Sequence, residues 1–113
     1  MNYMKLFPEP FSKIKSGEKN IEFRLNDEKR KRVKIGDCIT FKNTETEEEL
    51  VTECIALHHA KSFLELFESL YVNSGLDRNR EMSPREMAAT MRTYYSLENE
   101  QKYGVLGIEI SVL

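Results

Sequence analysis

Gly17-Glu18-Lys19-Asn20-Ile21-Glu22-Phe23-Arg24 is the stretch on which the reading of this chain turns. Ile21, Phe23 and Leu25 alternate with Asn20, Glu22 and Arg24. Successive side chains leave a strand on opposite faces, so a period of two is the pattern of a half-buried strand. Ser16-Gly17 closes a helical turn ahead of it, because glycine takes the left-handed backbone that ends a helix. Glu22 and Arg24 then share one face, and Lys19 stands at the turn where it can swing toward them. The cations suit a phosphate or a polarised carbonyl, and the carboxylate suits a base amino group or a proton transfer. The plainer alternative is a surface ion pair on an exposed sheet face, worth ~0–1 kcal/mol.

Outward from this strand the chain reads as short elements separated by turns. Upstream, Met4-Lys5-Leu6-Phe7 suits a first strand stopped by Pro8 and Pro10, and Phe11 and Ile14 suit one or two helical turns. Downstream, Asn26-Asp27 closes the strand and Lys29-Arg30-Lys31-Arg32 forms a basic connection. Gly36-Asp37 turns into a strand at Cys38-Ile39-Thr40-Phe41. Residues 43–49 read as a hairpin tip and residues 50–57 as the returning strand. From Ser62 the period becomes helical, with Phe63, Leu66, Phe67 and Leu70 as a core stripe and a stop at Asn73-Ser74-Gly75. Ser83-Pro84-Arg85-Glu86 is a capping-box helix start leading to Met87, Met91, Tyr94 and Tyr95. Residues 103–113 suit a last strand, with Gly104 and Gly107 permitting a bulge or a close backbone approach. Strands with two or three helices between them favour an α+β fold built on a small barrel over a parallel α/β sheet.

The composition sets the limits. With 113 residues, the chain (1–113) reads as a single domain with one modest core. Apolar residues make up 40% and charged residues 32%, which suits a folded globule rather than disorder. No apolar run approaches a membrane span, and Lys5 interrupts any secretory signal, so a cytoplasmic protein is expected with no membrane partner. Cys38 and Cys54 lie in strand-like contexts and read as two buried thiols, a disulfide being the alternative if the fold brings them together. Adjacent His58 and His59 would point to opposite faces of a strand, so neither a metal nor another cofactor is expected. The net charge of −2 is not that of a typical nucleic-acid binder. Its distribution is polarised, however: the basic run and Lys34 are followed a few residues later by an acidic run at Glu45 and Glu47-Glu48-Glu49. A polarised surface can hold phosphate on one side while the total stays negative. Two solvated turns are the bland reading of the same pattern.

The fixed positions Gly17, Lys19, Glu22 and Arg24 match the Gly-x-Lys-x-x-Glu-x-Arg motif, and the chain resembles the ASCH superfamily of PUA-like β-barrels. The resemblance extends upstream to Lys5-Leu6-Phe7-Pro8 and downstream through Ile35-Gly36-Asp37. It reaches Tyr94-Tyr95, Glu98, Glu100 and Tyr103-Gly104-Val105, and so covers nearly the whole chain. It implies a small PUA-like barrel and an RNA-binding role, with Lys19, Glu22 and Arg24 lining a cleft. Some small bacterial members deacylate N4-acetylcytidine with a catalytic Lys, Thr and Glu. There the Lys matches Lys19, but the Thr falls at Glu22, so a carboxylate replaces the attacking hydroxyl. Lys19 and Glu22 are the catalytic candidates if the chain is an enzyme, and Glu65 and Glu68 are candidates for the remaining carboxylate.

Three functions follow as expectations. The first is a module binding RNA or a nucleoside or nucleotide ligand. Lys19, Glu22 and Arg24 would form its cleft, Lys29, Arg30, Lys31 and Arg32 would grip the backbone, and Tyr94 and Tyr95 would stack on bases. Ordinary packing is the alternative for both tyrosines. The second is a small amidohydrolase acting on acylated nucleosides. The third is a protein-interaction domain.

Overall fold

Elements form where local chemistry and burial agree. In a computed structural model, residues 2–74 and 83–113 are described, with backbone alone for 71–74. Five strands and four helices follow in the order β1 (Asn2–Leu6), α1 (Pro8–Ser16), β2 (Ile21–Leu25), β3 (Cys38–Asn43), β4 (Glu49–Ala60), α2 (Phe63–Ser74), α3 (Pro84–Thr90), α4 (Leu97–Tyr103) and β5 (Val105–Val112). The strands form one half-barrel sheet in the order β1-β3-β4-β5-β2. β1 runs parallel to β3, and β3 runs antiparallel to β4 through the hairpin at 44–48. The fold is thus α+β, with four helices among the described residues where the sequence suggested two or three.

The differences from the sequence reading have identifiable causes. β1 ends at Leu6, ahead of Pro8 as expected, but the helix begins at Pro8 rather than at Phe11, so both prolines lie in its first turn. First-turn residues need no intrahelical N–H, so proline is tolerated there. α3 ends at Thr90, and Met91–Thr93 tighten into a 3-10 turn, so Tyr94 and Tyr95 lie beyond the helix. Tyr103 belongs to α4 and not to the last strand. β4 extends to Ala60 and carries half-buried His58 beside exposed His59. Cys38 is exposed, contrary to the expectation of two buried thiols, whereas Cys54 is fully buried, and both are free. α2 is described as far as Ser74, and Gly75 of the expected stop lies outside the described residues.

The chain divides into two compact units. One comprises Met1–Glu22, Arg32–Leu57 and Ile108–Leu113; the other comprises Phe23–Lys31 and His58–Gly107. In the first, Phe11 and Ile14 of α1 are buried, as are Ile39 and Phe41 of β3. Asn43 caps the hairpin tip by accepting from the N–H groups of Glu45 (2.9 Å) and Thr46 (3.3 Å). Burial raises the Cys54 thiol pKa; a backbone hydrogen bond at Ala56 opposes it, and Asp37, Glu109 and Glu53 raise it further.

In the second unit, the stripe Phe63, Leu66, Phe67 and Leu70 is core, as its helical spacing indicated. Phe67 meets Phe23 edge-on, with ring centroids 4.8 Å apart. The capping box at α3 is present: Ser83 Oγ accepts from the Glu86 N–H (3.2 Å), and Glu86 Oε1 accepts from the Ser83 N–H (3.5 Å). Gly104 joins α4 to β5 at φ +72°, where an added Cβ would lie 3.1 Å from the Ala60 carbonyl oxygen. That left-handed backbone and close approach account for glycine at this position.

Candidate functional site

The turn before β2 is fixed by backbone hydrogen bonds on both sides. Gly17 caps α1 at φ +88° and donates to the Ile14 carbonyl (3.1 Å). The Lys19 N–H donates to the Lys13 carbonyl (3.0 Å), and the Asn20 carbonyl accepts from the Ile110 N–H (2.8 Å). A Cβ at Gly17 would meet nothing within 4 Å, so any effect of substitution comes from backbone strain alone. Gly17→Ala is expected to cost about 1 kcal/mol in urea unfolding, and Gly17→Asn less. An Ala variant as stable as the parent would show that the left-handed turn is not under strain.

From this turn Lys19 reaches Glu22, with Nζ donating to Oε1 at 2.8 Å. The side chains are only 17% and 6% exposed, so this is not the surface pair that the alternation suggested. Period two correctly placed Ile21, Phe23 and Leu25 in the interior, but the opposite face of β2 is covered at Glu22 as well. Arg24, two residues along the strand, is half-buried and has interactions of its own.

The basic run is less uniformly available than its sequence implies. Arg30 Nη1 pairs with Asp27 Oδ2 (3.0 Å), and Lys31 lies 3.6 Å from Glu28. Arg30–Arg32 form a 3-10 turn, and Lys29 and Arg32 are exposed. Arg30 Nε and Asn26 Oδ1 are buried without a hydrogen-bond partner.

The two tyrosines differ in exposure. Tyr95 is half-buried and stacks on Phe63 with centroids 5.6 Å apart and planes at 24°. Tyr94 is 60% exposed and presents its ring at the surface.

The family profile for the ASCH domain matches residues 4–113. The chain belongs to the ASCH domain family. Among solved structures, the hypothetical protein PH0355 is 35% identical with a TM-score of 0.82, and both chains are covered at 100%. Protein PF0455 from Pyrococcus furiosus is 34% identical with a TM-score of 0.71, covering 99% of this chain and 96% of its own. A mutant form of the ASCH protein ZmASCH from Zymomonas mobilis is 18% identical with a TM-score of 0.52, covering 96% of this chain and 66% of its own. The last likeness concerns the ASCH fold alone. No curated protein matched the chain.

In this ASCH domain Glu100, which the resemblance reached without assigning it a role, is a buried carboxylate. Its side chain is 1% exposed, accepts from the Phe63 N–H at 2.6 Å and pairs with Arg92 Nη2. Ser62 Oγ accepts from the Glu65 N–H (3.1 Å) in the same helix start, so α2 is capped both locally and from α4. Glu65 and Glu68, proposed from the sequence as catalytic carboxylates, are exposed on α2. Among the described residues, no group of three or more His, Cys, Asp or Glu side chains could hold a metal ion. No described helix is long and apolar enough to cross a membrane.

Proposed function

We propose that this ASCH domain binds RNA or a nucleotide-like ligand, using the motif strand as its recognition element. The largely buried Lys19–Glu22 pair carries the reading. A buried ion pair is typically no more stable than well-packed apolar residues of the same volume, so stability alone gives little reason for one here. Held at 2.8 Å, the pair offers an ammonium suited to phosphate or carbonyl oxygen and a carboxylate suited to a base amino group. Arg24 adds a planar guanidinium on the same strand. Exposed Lys29 and Arg32 supply sequence-independent attraction, and Tyr94 supplies a stacking surface. Glu22 carries no hydroxyl able to attack an acyl carbon, which favours binding over deacylation of N4-acetylcytidine.

Fluorescence anisotropy with short single-stranded and duplex RNA tests the proposal. Affinity is expected to fall steeply with salt, and Lys29→Gln with Arg32→Gln to flatten the slope of log K against log salt by about 1–2. Absent binding, or binding indifferent to salt, would overturn it.

A further inference from the structure

We infer that the outward face of β1, β3 and β4 is a two-fold interface between copies of this chain. Ile39 and Phe41 point inward and are fully buried, so Cys38, Thr40 and Lys42 face the other way. Register aligns Tyr3 with Thr40 and Thr40 with Val51, and the Leu113 N–H donates to the Val51 carbonyl, which brings Leu113 alongside. The result is a row across the sheet in which Tyr3 is 52%, Val51 45% and Leu113 70% exposed. Thr40 lies low between them at 3%. Single exposed apolar residues are unremarkable on a surface, but an aligned row is a docking feature.

The charges beside the row identify the occupant. On one side, register aligns Lys5, Lys42 and Glu49; on the other it aligns Cys38 and Glu53. A two-fold axis along the row would stack Glu49 on the partner's Glu53. An axis along β3 would stack Lys42 on the partner's Lys42. An axis parallel to the strands and midway between β3 and β4 exchanges those strands. It sets Lys42 against the partner's Glu49, Thr40 against the partner's Val51, and each pairing recurs by symmetry. A patch complementary to itself is what an isologous dimer requires. Lys42 already lies 3.6 Å from Glu47, but both side chains are exposed and that contact is weak enough to exchange. Sheets packed this way lie ~10 Å apart and cross at about 30°, within reach of the long side chains.

Sedimentation equilibrium of the whole chain, from micromolar to near-millimolar concentration, tests the interface. The parent is expected to dimerise, and Val51→Lys to be monomeric with an unchanged circular dichroism spectrum. Lys42→Glu and Glu49→Lys should each weaken the dimer by about tenfold or more, because each sets like charges together. Combining them exchanges the charges and should restore association to near the parent value. A parent that stays monomeric throughout would overturn the inference. So would a dimer unmoved by Val51→Lys, or a double variant as weak as either single one. These outcomes are read without RNA and leave the binding proposal to its own test.

Discussion

Replacing Lys19 with Met is expected to destabilise the fold by about 3 kcal/mol, a loss of roughly 10–15 °C in melting temperature. The reason lies less in the attraction lost than in what remains. Glu22, 5% exposed, loses the ammonium that stands 2.8 Å from it, and a buried carboxylate is costly when the compensation of its charge is weakened. The double variant Lys19→Met, Glu22→Leu should recover most of the loss, since an apolar pair of similar volume substitutes well for a buried ion pair. The two variants also separate folding from recognition. If the pair serves ligand binding, the double variant folds like the parent and still fails to bind RNA. Should Lys19→Met unfold at the parent's urea concentration, the pair is not what compensates the charge on Glu22. Should the double variant bind as the parent does, the pair is dispensable for recognition.

The second large effect is expected at Glu100. Its carboxylate accepts from the Phe63 N–H at the first residue of α2 and holds Arg92, while being 1% exposed. Glu100→Ala leaves a buried N–H without an acceptor and a guanidinium without its anion, at a cost of about 3 kcal/mol. Glu100→Gln keeps an acceptor for Phe63 and should cost less. Arg92→Ala should also cost less, because Arg92 is 38% exposed and water can take part of its place. Hydrogen exchange localises the effect: the Phe63 amide should lose protection in Glu100→Ala before the amides of β3 do. Equal loss of protection throughout would mean that Glu100 serves global stability rather than the start of α2.

These two carboxylates mark where the sequence was legible and where it was not. Ile21, Phe23 and Leu25 were readable as interior because alternation is a local property of a strand. The burial of Glu22 was not, since it depends on what covers the opposite face, and no spacing within residues 17–25 records that. The capping box at Ser83 and Glu86 was readable because its reciprocal hydrogen bonds close within one turn. The cap from Glu100 to Phe63 spans 37 positions, and only the folded chain brings its ends together. α4 escaped notice for a related reason. Its sequence, Leu-Glu-Asn-Glu-Gln-Lys-Tyr, lacks an apolar stripe, and its buried residue is the charged Glu100 itself. The basic run was read correctly as a connection, yet Asp27 and Glu28, only three residues away from their cations, already neutralise part of it. That neutralisation was within reach of the sequence, because carboxylates three positions from cations are ready partners in a helical turn.

The contrast between the two thiols has a practical consequence. Cys38 lies on the outward sheet face and is open to alkylating reagents in the folded monomer. Cys54 is fully buried, with its thiol held in the protonated form, so reagent reaches a thiolate there only when the surrounding strands part. The unaltered chain therefore carries a handle for a fluorophore at one cysteine and a clock for its own breathing at the other. Once Cys38 is blocked, the rate at which Cys54 is consumed measures how often the interior of that unit opens to water.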